Sequence, residues 1–483
     1  MVLMEDLRAH DKCYHKKVFR NSEKGLMQMM HFEIHSMSFL RVVFSLIVLI
    51  AVMLSVGVLS AEEFSLEDLY RIALERSEKI KIAEKDLYIA ERGKDRAVSA
   101  LFPKLSAFGS YRRYSDDKRS SLGFVIQPND SVMLDMRLDQ SLSLSGREIT
   151  AFNISKEVIE KSRYDLHTVK EACLLDVATA YYNVLRAKKV FEIAKSNLDR
   201  LTKHKEAAAI RLKVGEVTKT DLLRAEAELS GAWAELVKSE NNLKLSKAIL
   251  ARVVGIVGDF DIKETAGNTE DITNNLDSLK HTAFAERAEM KAMELQKRIA
   301  EEQVEYYKGA YWPTLSIEGV YSRRDESPAS TFLNKESIYG GIRLNFLFFE
   351  GGLRKADLRE AEAKKRQFDL IYDDLKKTIE IEVEKAYFDF QTQKGILKSL
   401  EDQLRFARDN YNSVSRQYQF GLANSIDVVD ANTLLITAER QLADAAYNYQ
   451  LAWIRLQRAT GKMLKTVAVP KDDTAQSKDT KRY

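Results

Sequence analysis

Two aspartates stand three residues apart in the stretch Asp427-Val428-Val429-Asp430. If this stretch is helical, both carboxylates lie on one helix face, because residues three apart are neighbours on a helix surface. Carboxylates grouped at a narrow aqueous opening attract cations and repel anions. Helix capping is the alternative, since the macrodipole favours each acidic residue in a first turn by about 0.3–1 kcal/mol.

The rest of the sequence carries no recognisable catalytic or metal-binding motif. Beyond residue 61 the histidines are His167, His204 and His281, far apart in sequence, and the single cysteine is Cys173. There is no clustered metal-ligand spacing, no G-x-S-x-G motif and no phosphate-binding glycine loop. The 75 Lys and Arg residues nearly balance the 72 Asp and Glu residues, which does not favour a nucleic-acid partner. The sequence therefore predicts no enzyme, no metal, no cofactor and no nucleic acid.

The aspartates belong to a long stretch, residues 353–461, whose pattern occurs twice. Apolar residues recur at alternating steps of three and four over 397–418 and 435–459, with Gly421 between the two runs. Two such runs joined by a glycine turn predict a long antiparallel coiled hairpin. The same pattern, including Gly215, returns 206 residues earlier, so the sequence is a tandem duplication.

The spacing of the apolar residues changes along the predicted long helix. Between Phe368 and Phe390 it averages about 3.67 residues per turn, the value for nearly straight packing. In the later runs it averages about 3.5, which requires a left-handed supercoil. Several such helices side by side would form a cylinder that tapers at the end that carries the glycine turns.

Prolines mark helix-to-strand junctions at equivalent places in the two copies. Pro103 in Leu-Phe-Pro-Lys-Leu-Ser and Pro313 in Tyr-Trp-Pro-Thr-Leu-Ser lie 210 residues apart. Each follows a helical pattern, and we expect the first helix to run from Ser65 to about Ala100. Because proline disfavours the helical conformation of the residue before it, each proline ends a helix and opens a strand.

Apolar and polar residues alternate over about ten positions in the predicted strands. The apolar positions of one strand are Val132, Leu134, Met136 and Leu138. The alternation suits a transmembrane barrel with a wet lumen or, equally, a soluble sheet with one solvated face. Each copy supplies two strands, and four strands cannot close a barrel. Two chains would give eight strands and three would give twelve, and an aqueous pore favours three or more.

The helix lengths agree with an extended architecture. The long helices are predicted from about Arg147 to Lys213 and from Leu353 to Gln419, roughly 100 Å each at about 1.5 Å per residue. The helices before the strands and after the glycine turns together match that length. We therefore expect the two shorter helices of each copy to stack end to end beside the long one.

Residues 37–61 carry the pattern of a secretory signal. Arg41 precedes the mostly apolar run 42–59, and Ser60-Ala61 stand before two acidic residues. A membrane-anchoring helix is the alternative, because 18 residues reach the lower limit for a span. Small residues stand where a stop-transfer signal would place Lys or Arg, which favours a cleaved signal. Met37 is a candidate translation start.

The order of these features resembles the TolC family of outer-membrane efflux channels. It comprises helix, proline, strand hairpin, Gly351-Gly352, the Phe-Gly-Leu turn at 420–422 and the Asp-Val-Val-Asp stretch. The resemblance covers residues 63–461, although Ser145-Gly146 replaces the double glycine in the first copy. It implies a mainly α protein with a transmembrane β portion. In the implied homotrimer, a twelve-stranded β-barrel in the outer membrane continues into a twelve-helix coiled-coil α-barrel in the periplasm.

The resemblance also implies partners and roles for particular residues. A periplasmic adaptor and an inner-membrane transporter of the RND, ABC or MFS type would join the trimer, and outer-membrane lipid would surround the barrel. Asp427 and Asp430 would line the periplasmic constriction as a pore gate. The adaptor-contact turns would comprise two pairs of residues, which are Gly215 with Glu216 and Gly421 with Leu422.

The two glycine turns are followed by polar residues at matching positions. Thr218 with Asp221, and Asn424 with Asp427, have the spacing of helix N-caps. The first copy has Arg224 where the second gate carboxylate would stand. We therefore expect the two copies to differ at the gate.

We divide the chain into an N-terminal extension and signal peptide (1–61), repeat 1 (62–255), a linker or equatorial segment (256–281), repeat 2 (282–461) and a polar tail (462–483). The predicted function is an outer-membrane channel-tunnel that exports small molecules or proteins in a tripartite efflux or type I secretion system. The alternative is a periplasmic coiled-coil scaffold without a pore. The sequence identifies neither the exported compound nor the class of transporter.

Overall fold

The computed structural model describes residues 62–264 and 275–466. The predicted signal peptide and most of the polar tail lie outside these ranges. Of the described residues, Glu62 and Asp259–Asp261 belong to a smaller compact unit, and the remaining ones belong to a larger unit. The helices and the four-stranded sheet described here belong to the larger unit.

The described elements of the first repeat are β1 (Glu62–Phe64), α1 (Leu66–Arg76), α2 (Glu78–Ser99), β2 (Lys104–Arg113), β3 (Lys118–Arg119), β4 (Val125–Gln127), β5 (Asp130–Ser143), α3 (Arg147–Lys213) and α4 (Lys219–Val254). Those that follow are β6 (Phe260–Ile262), α5 (Leu276–Glu286), α6 (Ala288–Lys308), β7 (Thr314–Ser327), β8 (Glu336–Asn345), α7 (Leu353–Gln419), α8 (Ser425–Ala459) and α9 (Met463–Thr466). A 3-10 turn at Gly309–Tyr311 links α6 to the sheet.

The two long helices confirm the predicted bounds. Helices α3 and α7 have 67 residues each, roughly 100 Å at about 1.5 Å per residue. Each begins after a glycine in the left-handed conformation, with φ of 75° at Gly146 and 93° at Gly352. Replacement of the first of the paired glycines by Ser145 therefore leaves the start of α3 intact.

The prediction of one helix from Ser65 to about Ala100 is wrong, because the helix breaks at Ser77. Ser77 has ψ of 124°, and its N–H donates to the Ala73 carbonyl at 3.0 Å, which closes α1 before α2 begins. Arg287 forms an equivalent break between α5 and α6, with ψ of 129° and the same pattern to Ala283. Neither break contains a glycine or a proline, which would have indicated a break in the sequence. Helix α5 starts at Leu276, inside the segment 256–281 that we assigned to a linker.

The sheet joins the two repeats in the order β2-β5-β7-β8, and every pair is antiparallel. Strands β5 and β7 come from different repeats and pair along their full lengths, from Asp130 opposite Ser327 to Ser143 opposite Thr314. Strands β2 and β8 are the edges, so the sheet is open within one chain. The predicted count of four main strands is confirmed.

The helices pack side by side, as the stacking prediction requires. Helices α2 and α4 both lie along α3, and α6 and α8 both lie along α7. Helix α3 also contacts α6 and α8 of the other repeat, so it lies in the middle of the layer. Accordingly α3 has many buried residues, including Leu174, Val177 and Tyr181, whereas α7 keeps one long face exposed.

A second apolar core lies where α5 and α6 meet α7 and α8. Phe390 of α7 is 1% exposed and its ring stacks on Tyr449, with ring centroids 5.2 Å apart. Trp453 packs against the same ring at 5.6 Å. No helix among the described residues has both the length and the hydropathy needed to cross a membrane.

Candidate functional site

Each coiled hairpin ends in a tight glycine turn. Gly215 has φ of 79° and Gly421 has φ of 76°, a region that glycine enters without steric cost. The N–H of Glu216 donates to the Arg211 carbonyl at 2.9 Å, and the N–H of Leu422 donates to the Gln417 carbonyl at 2.8 Å. These bonds satisfy carbonyls at the ends of α3 and α7. Val214, Phe420 and Leu422 are exposed at the tips, so the turns present apolar side chains to solvent.

The helices after the turns begin with reciprocal caps, as we predicted. The Thr218 hydroxyl accepts from the Asp221 N–H, and the Thr218 N–H donates to the Asp221 carboxylate at 2.9 Å. Asn424 and Asp427 repeat this capping box, with an N–H to carboxylate distance of 3.0 Å. The hydrogen bonds from Thr218 hold the pKa of Asp221 below its usual value. Capping therefore accounts for one member of the candidate gate pair.

Asp427 and Asp430 are both exposed, whereas Val428 and Val429 between them are buried. The two carboxylates thus share the exposed face of the first turns of α8, as their spacing predicts. Within the described part of the chain, Asp430 forms no ion pair and caps no helix, so local structure does not account for it. Arg224 is exposed at the matching place in the first repeat. The copies therefore differ in charge at this end.

A polar seam joins α3 to the second hairpin near the same tips, and the sequence did not reveal it. His204 is 8% exposed, and its Nε2 lies 3.0 Å from Oγ of Ser425, the first residue of α8. Arg211 donates to the Gln419 carbonyl at 3.1 Å. The partners of each bond lie more than 200 residues apart, so no local pattern relates them.

The same seam continues away from the tips through a buried amide. Asn432 is 4% exposed and accepts from Arg200 at 3.0 Å, while its own amide donates to Asn197 at 2.9 Å. Arg200 also pairs with Glu439 at 3.4 Å. Because a buried polar group without its partner is costly, these contacts fix α8 against α3.

The four-stranded sheet has one apolar face, which is exposed. Cross-strand rows on this face include Leu138 beside Leu105 and Ile317 beside Ile342. Leu105 is 68% exposed and Ile342 is 76% exposed. A contiguous apolar surface of this kind requires an apolar environment or a partner.

The opposite face of the sheet is charged and internally paired. Arg137 bonds Asp139 at 2.9 Å and Glu318 at 2.7 Å, and Arg343 approaches the other oxygen of Glu318 at 3.5 Å. Gly341 lies opposite Glu318, where a Cβ atom would approach the Glu318 side chain to 3.2 Å. The small residue leaves room for a carboxylate shared by two arginines.

Both predicted proline junctions lie where a helix passes into the sheet. Pro103 directly precedes β2, and Pro313 directly precedes β7. The Pro313 carbonyl accepts from the Leu144 N–H at 3.0 Å, which connects the second junction to the end of β5. The Ser145 hydroxyl donates to the Gly309 carbonyl at 2.9 Å, so the first copy's departure from the double glycine serves this contact.

A charged cluster surrounds the buried side chain of Arg287, at the break between α5 and α6. Arg287 bonds Glu382 at 2.6 Å and Glu289 at 3.1 Å, with 4% of its side chain exposed. Glu171 of α3 is 2% exposed, and one of its carboxylate oxygens has no hydrogen-bond partner. Burial, reinforced by Glu289, raises the pKa of Glu171 to about 7. In the described ranges no group of three His, Cys, Asp or Glu side chains is placed to hold a metal ion.

Comparison with known proteins places these features in one family. The outer membrane efflux protein family matches residues 69–256 and 279–462. TolC of Vibrio cholerae is 22% identical over 377 residues, covering 75% of this chain and 83% of that protein. The alkaline protease secretion protein AprF of Pseudomonas aeruginosa is 22% identical over 412 residues, covering 82% and 84%.

The fold agrees with solved channel structures. The Campylobacter jejuni CmeC outer membrane channel superposes with a TM-score of 0.74 at 15% identity, covering 82% of this chain and 86% of that one. The matched residues cover nearly all of repeat 1 and the whole of repeat 2, and the relatives are named outer-membrane or secretion proteins rather than enzymes. The chain belongs to the outer membrane efflux protein family.

Proposed function

We propose that three copies of this chain close one pore through the outer membrane and extend it as a helical tunnel into the periplasm. The observation that carries the proposal is the open four-stranded sheet with an exposed apolar face and a charged face. The chain is an outer-membrane channel protein of efflux or type I secretion, as its family relatives are. Trimeric assembly and barrel closure are the steps that the proposal adds.

The dimensions of the apolar face support insertion of the sheet into a bilayer. From Val132 to Leu142, strand β5 carries apolar residues on that face except at Gln140. This length is about 33 Å at about 3.3 Å per residue. A strand tilt of about 40° reduces it to about 25 Å, the height of the apolar band of an outer-membrane barrel. At that end of the span, Asp325 stands opposite Val132 and Asp130 lies two residues beyond Val132, where lipid headgroups would meet charged side chains.

The edges of the sheet support closure with other chains. Strands β2 and β8 each have one side without a ladder partner among the described strands, and open edges are not tolerated in lipid. Pairing β8 of one copy with β2 of the next removes every edge. Twelve strands from three chains leave room for water, whereas eight from two chains would be filled by side chains.

The helices support the same arrangement. Helix α7 exposes Leu370, Phe388 and Phe406 on the face that none of the described helices covers. At the other side of the layer, α4 exposes Trp233 and Leu245. Packing α7 of one copy against α2 and α4 of the next would cover both faces at once.

We assign the periplasmic gate to Asp427 and Asp430. Both side chains are exposed near the glycine turns, at the end where the heptad spacing draws the helices inward. Three copies would present about six carboxylates around the opening, a ring that attracts cations. The charge of Asp430, which caps nothing, is the feature that favours a gate over a cap alone.

The exposed turns are the proposed contacts for a periplasmic adaptor. Gly215 and Glu216 form one tip, and Gly421 and Leu422 form the other. An inner-membrane transporter would act through that adaptor. One relative is named for secretion of a protease and another for export of pyoverdine, so relatives of this chain serve both protein and small-molecule cargo.

Native mass spectrometry of the detergent-extracted protein tests the assembly. The proposal predicts a species of three chains, with strand content retained in the circular dichroism spectrum. A stable monomer with the same strand content would contradict it. A salt-extractable protein absent from the outer-membrane fraction would instead favour the scaffold alternative.

A further inference from the structure

A side-chain contact holds the first turn of α8 against α3. Ser425 is the first residue of that helix, two positions before Asp427, and it is 2% exposed. The side chain that meets it is His204, whose Nε2 lies 3.0 Å from the Ser425 Oγ. The contact crosses from the first repeat to the second. Through the Ser425 side chain, His204 therefore contacts the helical turn that carries the gate carboxylates without touching the carboxylates themselves.

The surroundings of His204 suit a neutral imidazole. Its ring packs on that of Tyr418 from α7 at 5.2 Å, and Arg211 of α3 covers the same tyrosine at 4.5 Å. Among the described residues, His204 has no carboxylate partner on α3, α4, α7 or α8 that would stabilise a charged ring. Burial accordingly holds the pKa of His204 below its usual value.

Protonation would place an unpaired charge at an unfavourable position. The cationic ring would have no carboxylate to pair with among the described residues, and a buried unpaired charge is strongly disfavoured. The charge would also lie at the N-terminal end of α8, where the helix dipole is already positive. Arg211 adds a further positive charge, because its guanidinium lies over the Tyr418 ring. The nearest acidic residue in the sequence of α8 is Asp427, whose carboxylate already accepts from the Asn424 N–H.

We propose that His204 is a positioning residue for the gate, which holds the first turn of α8 only while its imidazole is neutral. The proposal rests on the channel function assigned above and adds its regulation by pH. The neutral ring favours the position of Asp427 and Asp430 that this structure shows. Because the pKa is lowered in the held state, the contact is fully stable above the ordinary histidine pKa of about 6.5 and weakens as pH falls below it.

Amide hydrogen exchange in the full detergent-solubilised protein tests the contact without relying on a pore. Protection of the amides of residues 427–430, corrected for intrinsic exchange rates, is measured between pH 8 and pH 5. In the wild-type chain, protection should fall by up to about tenfold for each unit by which the pKa of His204 is lowered. His204→Gln keeps a hydrogen bond to Ser425 but cannot be protonated in this range, so its protection should stay constant. His281→Phe, at an exposed histidine of α5, should behave as wild type.

Planar-bilayer recordings of the same proteins give the second readout. Open probability should change with acidity in wild type and His281→Phe and stay flat in His204→Gln. Equal pH dependence of protection in wild type and His204→Gln would overturn the proposal, whatever the channel does. Loss of protection that depends on His204 but occurs without any current would support the positioning role and contradict the proposed channel.

Discussion

Gly461 packs directly on the backbone of Arg287, and a Cβ atom added to the glycine would lie 2.9 Å from the Arg287 nitrogen. Gly461 has φ of 70° and follows α8, whereas Arg287 forms the break between α5 and α6. The contact seats the end of the second repeat on that break. The Arg287 guanidinium is held there by Glu289 and Glu382.

We expect Arg287→Ala to destabilise the fold by about 1–3 kcal/mol, because it removes the buried guanidinium and leaves Glu289 with Arg458 as its remaining partner. Chemical unfolding in detergent measures the change. Arg71→Ala removes an ion pair whose arginine side chain is 66% exposed, and it should cost at most about 1 kcal/mol. Equal losses in the two variants would show that the Arg287 cluster contributes nothing beyond a surface pair.

The buried carboxyl of Glu171 predicts a dependence of stability on pH. Its pKa of about 7 in the folded chain exceeds the ordinary value of 4.5, chiefly because burial disfavours the charge. The folded chain therefore binds a proton that the unfolded chain has released between these values. The contribution of Glu171 to stability is greatest at acid pH, decreases as pH rises from about 4.5 to about 7, and is constant above that.

Glu171→Gln should remove this contribution and raise the melting temperature at pH 8 relative to wild type. The difference should shrink towards pH 5, where wild-type Glu171 is already neutral. Thermal unfolding at both pH values measures it. Glu160→Gln, an exposed position on the same helix paired with Arg163, serves as control and should leave the pH profile unchanged. A Glu171→Gln profile that runs parallel to wild type would refute the assignment.

Substitution at the second tip should impair export without loss of assembly. No atom would lie within 4 Å of a Cβ atom at Gly421, so Gly421→Val introduces backbone strain but no clash. A left-handed residue other than glycine costs about 1–2 kcal/mol, which a trimer with long helical interfaces should tolerate. Export in cells should fall while the yield of trimer is maintained.

Gly123 offers a matched control for that strain. It has φ of 81° and equally open surroundings, but it lies between β3 and β4, away from the helical tips. Gly123→Val should leave export unchanged. A similar loss of export in both variants, or a loss of trimer with Gly421→Val, would make the second turn a structural element only.

The sequence predicts the long helices and the strands because their signals are local. Gly146 and Gly352 precede α3 and α7, a glycine turn follows each, and the apolar spacing between them is continuous. The breaks at Ser77 and Arg287 escaped prediction, since both positions accept helical geometry and only packing around them favours an extended conformation.

The candidate site likewise contains some features that the local sequence predicts and others that it does not. Asp427 and Asp430 share a face because of spacing alone, and the caps at Thr218 and Asn424 follow from a local motif. His204 looked isolated because its partner is 221 residues away. Contacts between the two hairpins depend on how the helices are arranged in space, which heptad spacing within each hairpin does not determine.

Single-channel recording in planar bilayers, made on protein whose trimeric mass has been verified, tests the central claim most directly. Wild-type channels should conduct, prefer cations, and be blocked by divalent cations added at the periplasmic side. The Asp427→Ala, Asp430→Ala double variant should form the same trimer but lose the block and much of the cation preference. Asp221→Ala removes the equivalent cap in the first repeat and should keep both. Unchanged block and selectivity in the double variant, or the absence of any conductance from a wild-type trimer, would contradict the account.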